Sequence, residues 1–445
     1  MRIIKYLGLS MFVFFTAASC SAPNEPDEII VDREQYLDRL EGFWLGQSLA
    51  NWTGLVTEVD KIGGEGPEGE FYTRDDWGGP DQPRYGGSQP SSVSPIITWV
   101  IRERDEIWGS DDDTDIEYIY QHLLQQHETS ILSAEQIRDG WLAHIYSDEN
   151  SPHMRNGQPE NYLWVSNQRA FTLMNEQGLL PPATSDPANN EHFDMIDAQL
   201  TTEIFGLYAP GRPDMALKMA HLPVRVTAHD EAALAAEFYI IMHSLAAVVD
   251  PSQSRKEQIH DMAAQARALT RDDSYIAKMH DFVFSRYQAG VSWEQARDDV
   301  YQRYQVEAQD GYDLSGRTLS CLGCFAAGIN FAASMVSLYF GEGEYQETVK
   351  IAVLAGWDSD NPAATWGGLI GFMDGRNELE ANFDLAMSDR FDINQTRYGF
   401  PLADGIDTFP NMSAAGQSIV DRVVVERLQG SIDGKVWRIP GSSSK

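Results

Sequence analysis

Two short acidic stretches hold the residues best suited to chemistry. "AGWDSDNPAATWGG", positions 355–368, sets Asp358 and Asp360 in an otherwise apolar, small-residue segment, and "GSDDDTDIEY", positions 109–118, puts Asp111, Asp112 and Asp113 in a row. Carboxylates this close repel one another unless a cation sits among them. Neither stretch contains histidine or cysteine. Hard oxygen donors of this kind suit Mg²⁺, Mn²⁺ or Ca²⁺ and not zinc. A plainer role is open to each stretch alone. Asp360-Asn361-Pro362 has the grammar of a helix start, with a capping Asp or Asn ahead of a proline in the first turn, and acids at 111–113 suit the positive end of the helix that follows them. Capping needs one acid per helix, whereas this chain places three at one start and two at the other. Asp111, Asp112, Asp113, Asp358 and Asp360 are therefore the expected metal ligands. Trp357, between Gly356 and Asp358, either stacks on a substrate ring or packs beside the turn.

The elements that must position these acids read as helices. With 445 residues, 42% hydrophobic and 11% aromatic, the chain has ample material for a core. Apolar residues recur at three- and four-residue spacing in "DDTDIEYIYQHLLQQHE" and "HDEAALAAEFYIIMHSLAAVV". The same pattern covers 34–49, 133–145, 255–269, 274–289, 292–305, 319–340, 345–355, 362–373 and 414–429. Alternating β-branched runs are nearly absent, so the reading is all-α, without internal repeats. Irregular stretches at 60–87, 147–160 and 180–190 are rich in Gly, Pro, Asn and Asp. The first of them, with Trp, Tyr and Arg in "EGEFYTRDDWGGPDQPRYGG", is either a substrate-facing loop or a connector pinned by its aromatics.

The net charge of -34, from 67 acids against 33 bases, excludes nucleic acid as a partner, because phosphates require a basic footprint. The start "MRIIKYLGLSMFVFFTAASC" carries Arg2 and Lys5, an apolar run and then Cys20 after small residues. It reads as a secretory signal over 1–19 with a lipobox-like end, followed by a tether over 21–31 and a domain over 32–440. The protein is thus expected to be an extracytoplasmic bacterial lipoprotein whose membrane contact is a lipid anchor on Cys20. Cys321 and Cys324 in "LSCLGCFAAG" have no second pair and no neighbouring histidine, and they read as small hydrophobes on a buried helix.

The helix "GFWLGQSLANWTGLVTE", positions 42–58, together with the two acidic stretches, resembles the ADP-ribosylglycohydrolase family. That family's pattern has a glycine-spaced helix with a Gly-Asp-Ala-x-Gly core and a Glu seven residues after its Asp. A Thr-Asp-Asp-Thr-like helix start follows, and later a Gly-x-Asp-Thr-Asp-Thr motif. Asn51 stands in the Asp position and Glu58 in the Glu position. Asp112, Asp113 and Thr114 match the first metal motif, with Asp111 where Thr is commoner. Asp358 and Asp360 match the second, with Ser359 and Asn361 at its Thr positions. Residues 196–238 resemble the family's central helices, with His229 as the counterpart of a recurring Ser/Thr-His element.

The resemblance implies a single all-α orthogonal helical bundle around two Mg²⁺ ions, with Mn²⁺ or Ca²⁺ as possible occupants. It implies Glu58 as the general acid or base and Asn51, Asn361 and His229 as substrate contacts. His229, at the head of an amphipathic helix, could equally serve as a cap or a core residue. The expected activity is Mg-dependent hydrolysis of an N- or O-ribosidic, ADP-ribosyl-type or related furanosidic bond. Two alternatives stand beside it: a glycosidase acting on glycan-derived sugars with the same centre, and a surface lipoprotein that binds a sugar without turnover.

Overall fold

Glycines at four-residue intervals in the first helix decide how the chain packs. The computed structural model describes residues 28–313, 321 and 323–441. The α-helices among them are α1 (Arg33–Gly54), α2 (Asp112–Gln126), α3 (Ala134–His144), α4 (Val165–Gln177), α5 (Ile204–Leu207), α6 (Pro213–Val224), α7 (Asp230–Ala246), α8 (Arg255–Leu269), α9 (Tyr275–Gln288), α10 (Trp293–Val300), α11 (Ala327–Gly341), α12 (Tyr345–Ala355), α13 (Asp360–Asp374), α14 (Arg376–Phe383) and α15 (Phe409–Glu426). This is the all-α bundle expected. Gly42 and Gly46 of α1 meet Gly371 and Gly367 of α13 backbone to backbone. A Cβ added at Gly42 would lie 2.2 Å from the Gly371 carbonyl oxygen, and one at Gly46 2.3 Å from that of Gly367. Only residues without a side chain allow two helices so close, and the approach carries Asn51 of α1 to the start of α13.

Around this pair α2, α7, α11, α12 and α15 close a continuous apolar core that includes Trp44, Trp108, Trp141 and Trp366, all fully buried. From Gly42 onward α1 is buried on nearly every side, as is α13, because both run through the middle of the bundle.

Several boundaries differ from the periodicity reading. The helix expected over 319–340 begins only at Ala327, because Cys321 and Cys324 form a disulfide in the turn ahead of it. The two cysteines are thus a cross-link and not small hydrophobes within a helix. The helix expected over 292–305 changes winding at Tyr301 and continues as a π-helix to Val306. α15 starts at Phe409 instead of 414, where Thr408 accepts from the Asn411 N–H and Pro410 sits in the first turn.

Strands were not expected, and eight short ones form among the described residues: β1 (Glu28–Asp32), β2 (Trp108–Gly109), β3 (Met154–Arg155), β4 (Gln158–Pro159), β5 (Arg390–Asp392), β6 (Ile406–Thr408), β7 (Ser431–Asp433) and β8 (Val436–Pro440). At two to five residues they are too brief for alternation to show. β1 pairs antiparallel with β8, so residues 28–31 of the expected tether belong to the folded unit. β2 runs parallel to β5 and steadies the chain just before Asp111, where the Ser110 N–H donates to the Asp392 carbonyl at 3.1 Å. The expected signal segment and Cys20 lie outside the described residues. Among the described residues no helix is long and apolar enough to cross a membrane.

Candidate metal centre and active site

Each acidic stretch opens a helix, and the two helix starts face each other. Asp111 precedes α2, and its N–H donates to the Thr114 hydroxyl at 3.1 Å. Its own carboxylate turns toward α1 and accepts from the Asn51 amide at 3.3 Å. Asp113 accepts from the Asn361 amide of α13 at 3.1 Å. Asn51 and Asn361 therefore hold the acids of α2 from two different helices. They do so as neutral donors, adding no negative charge, and the Oδ1 atom of each is buried without a partner.

On the facing side α12 ends at Ala355, and Gly356, at φ 100°, adopts a conformation that disfavours other residues. Trp357 follows. Its N–H donates to the Lys61 carbonyl at 2.6 Å, and its carbonyl accepts from the Val59 N–H at 2.8 Å. These two bonds lay the turn after α1 along residues 357–358, which sets Glu58 beside Asp358. The Asp358 N–H donates to the Asn330 side-chain oxygen at 3.2 Å. The residue that precedes α13 is Ser359, with Asp360 the first helical residue, so the expected Asp or Asn cap is corrected by one position. Neither Ser359 nor Asp360 caps the helix through its side chain. The Ser359 hydroxyl instead bonds the Gly54 carbonyl and Thr57, and Asp360 keeps one buried, unpartnered carboxylate oxygen.

Carboxylate oxygens of Glu58, Asp358 and Asp360 lie within 4.8 Å of one another, as do those of Asp111, Asp112 and Asp113. The two groups also feel each other. Burial pushes Asp112 well above the usual carboxylate range, with the charges of Asp111 and Asp360 adding to it. Burial does the same to Asp113, with Asp112 and Asp111 adding. Burial likewise raises Asp360, with Glu58, Asp113 and Asp111 adding, and Asp358, with Asp360, Glu58 and Asp197 adding. Six buried or half-buried carboxylates, hard in character and with one Asp360 oxygen left unpartnered, could hold divalent cations.

Glu58 forms an ion pair with Arg84 at 2.5 Å, and its carboxyl is raised by burial, offset by Arg84, and raised again by Asp111. Arg84 is the residue through which the 60–87 loop faces the centre. The loop's Tyr72 is buried on Asp60 and Trp77 packs on Trp99, so these aromatics pin the loop.

Two candidates are not brought in. Trp357 is fully buried, its indole N–H donates to Gln305 at 2.7 Å, and its ring rests on Phe71, so it packs the turn. His229 precedes α7, and its ring lies near Phe193 and 3.6 Å from Asp230, neither of them a site acid. Conversely, Asn330, Asp197 and Arg84 join the site without a motif to announce them. Asp197 is held by the Ser166 hydroxyl at 2.5 Å and the Asn167 N–H at 2.9 Å.

The crowded acids make a stability prediction. Without metal, carboxyls raised in the fold hold protons that the unfolded chain releases, so their contribution is greatest at low pH and is lost as pH rises through the folded values. A bound cation favours the ionised forms instead. Melting in Mg²⁺ is expected to exceed melting in EDTA by a margin that widens from pH 5 to pH 8. At a hundredfold excess over Kd the margin corresponds to about 3 kcal/mol. Equal melting temperatures in the two conditions would remove the metal centre.

No curated protein matches the chain. A solved structure described as an ADP-ribosylglycohydrolase-related protein complex aligns at 15% identity and a TM-score of 0.46, over 87% of this chain and 98% of that one. The model of the ADP-ribosylglycohydrolase family matches residues 32–406, most of the chain, and the chain belongs to that family.

Proposed function

We propose that the protein is a divalent-metal-dependent glycohydrolase that cleaves an N- or O-ribosidic, or related furanosidic, bond outside the cytoplasm. Family membership supports a hydrolase. The reading rests on one observation: Glu58 converges with Asp358 and Asp360 opposite Asp111, Asp112 and Asp113, in a cluster whose charges only cations or protons can balance.

Asp112, Asp113, Asp358 and Asp360 would hold the ions, Mg²⁺ foremost, which when bound supply orientation of a vicinal diol and activation of a water or hydroxyl. Glu58 would move a proton at the anomeric centre. Burial favours its protonated form, Arg84 its charged form, and an acid that must work in both states needs that balance. The buried, unpartnered Oδ1 atoms of Asn51 and Asn361 would accept from a water held on the ions. The disulfide Cys321–Cys324 suits an oxidising compartment and so supports the secretory reading of residues 1–19.

The test is an assay of ADP-ribosyl-arginine and of furanoside chromogens, with Mg²⁺ and with EDTA, on wild type and Glu58→Gln. Wild type is expected to turn over one of these classes only with metal. Glu58→Gln is expected to lose about 10²–10⁴-fold in rate, the usual weight of a positioned acid or base, with its melting temperature nearly unchanged. Turnover that survives EDTA, or an unimpaired Glu58→Gln, would refute the proposal. Sugar binding without turnover would mark a binding lipoprotein.

A further inference from the structure

One helical turn behind the metal-centre residues lies a second polar layer. Gln47 is four positions before Asn51 on α1, Glu117 four after Asp113 on α2, and Thr365 four after Asn361 on α13, while Glu203 enters from the turn ahead of α5. None of the four is more than 1% exposed. The Gln47 amide donates to Glu117 at 2.7 Å, and the Ile204 N–H donates to the other oxygen of Glu117 at 2.7 Å. The Thr365 hydroxyl donates to Glu203 at 2.8 Å and the Thr202 N–H at 3.2 Å. Ile204, whose N–H reaches Glu117, is the residue next to Glu203, so the two carboxyls are neighbours, and each bears on the charge of the other. Neither has a salt-bridge partner among the described residues. Two carboxylates cannot bond each other when both are charged, and two adjacent unpaired anions in this interior would be very costly.

We propose that Glu117 and Glu203 share one proton, and that the resulting O–H···O bond ties α2 to the Glu203 turn and, through Thr365, to α13. Asp111–Asp113 are thereby held in register with Asp358 and Asp360. The two glutamates are positioning residues, since they touch neither metal nor substrate. The inference builds on the proposed metal centre for its consequence, although the shared proton itself does not depend on that centre.

Each glutamate already accepts two hydrogen bonds, Glu117 from Gln47 and Ile204 and Glu203 from Thr365 and Thr202, so the proton belongs to the pair and not to one member. Burial raises Glu117 well above the carboxylate range, with the Glu203 charge adding to it, and burial brings Glu203 to about 7. The other ionisable groups facing the pair are Asp113 one turn up α2, Tyr208, whose hydroxyl donates to Gln121, and Tyr239, which shares a hydrogen bond with Ser334. None of these is a cation. Because the folded values are raised, the pair's stability is complete below the ordinary glutamate range and is lost as pH rises through them.

Glu117→Gln mimics the protonated state, since its amide N–H donates to Glu203 at any pH, and Gln47 can turn its unpartnered Oε1 toward it. Melting in EDTA from pH 6 to pH 9 is expected to fall more steeply for wild type than for Glu117→Gln. Calorimetric Mg²⁺ titration at pH 7 is expected to give wild-type affinity for Glu117→Gln and at least about tenfold weaker binding for Glu117→Ala, the usual scale for a group that orients metal ligands. Parallel melting curves for wild type and Glu117→Gln would overturn the shared proton. Unweakened Mg²⁺ binding by a folded Glu117→Ala would overturn the positioning role. Should Glu117→Ala not fold, impaired Mg²⁺ binding by Glu117→Gln at pH 7 would overturn it instead. Wild type that binds no Mg²⁺ would refute the metal centre and leave the melting comparison to decide the proton.

Discussion

Replacing Asp360 by asparagine is expected to lower turnover by on the order of a thousandfold, about 4 kcal/mol of transition-state stabilisation, while leaving helix content unchanged. Asn keeps the size and the planar end of the side chain, and Asp360 does not cap α13 through its carboxylate, so the helix start loses no bond. What disappears is one negative charge beside Glu58, Asp113 and Asp111. Metal affinity should therefore fall sharply. The metal-free protein should gain stability, by about 1 kcal/mol, because one source of like-charge repulsion is gone. Calorimetric Mg²⁺ titration and melting in EDTA measure the two effects separately. An Asp360→Asn variant that binds Mg²⁺ with unchanged stoichiometry and affinity would sink the metal centre and the hydrolysis built on it.

The second large effect is expected at Gly54, the last residue of α1. A Cβ there would stand 2.4 Å from the Asp360 Cα, 2.9 Å from its nitrogen and 3.0 Å from its Cβ. These are atoms at the root of a packed helix and cannot swing aside. Gly54→Ala would gain about 1 kcal/mol of helix propensity, and an overpacked core costs about 1–3 kcal/mol or more. The clash wins, and relief comes by pushing the start of α13 away from α1. Both melting temperature and Mg²⁺ affinity should drop together. Gly416→Ala on α15 is the milder comparison, since its nearest neighbour is the Gln121 side-chain oxygen at 3.2 Å, which must give by far less than the Asp360 backbone, and it should change either quantity less. A Gly54→Ala protein with normal melting and normal Mg²⁺ binding would show that the α1–α13 contact does not set the site.

The chemistry of the site was legible because it depends on residue type. Five aspartates in two helix-start segments, with no nitrogen or sulfur donor beside them, suit a hard cation better than a soft one in any arrangement. α2, α7 and α12 were legible for a related reason, since an apolar stripe at helical spacing is a local property of the chain. The family pattern added Glu58 by its distance from Asn51. Strands of two to five residues leave no such trace, and whether Cys321 and Cys324 pair depends on how the chain turns before α11.

Position in space was beyond any local signal. Trp357 looked free to stack on a sugar, and its indole turned out to be committed to Gln305, a π-helix residue 52 positions away in sequence. Arg84, Asn330 and Asp197 reach the acids from three unrelated segments, and Glu203 meets Glu117 from a turn with no motif of its own. Asn51 and Asn361, which read as departures from the family pattern, became the neutral donors that hold Asp111 and Asp113. Periodicity and composition act over a few residues of chain. The meeting of 51 with 111, of 58 with 358 and of 113 with 361 follows only when the bare glycine faces of α1 and α13 pack in contact, because it is that close approach, possible without side chains, that sets how far apart the two acidic helix starts can be.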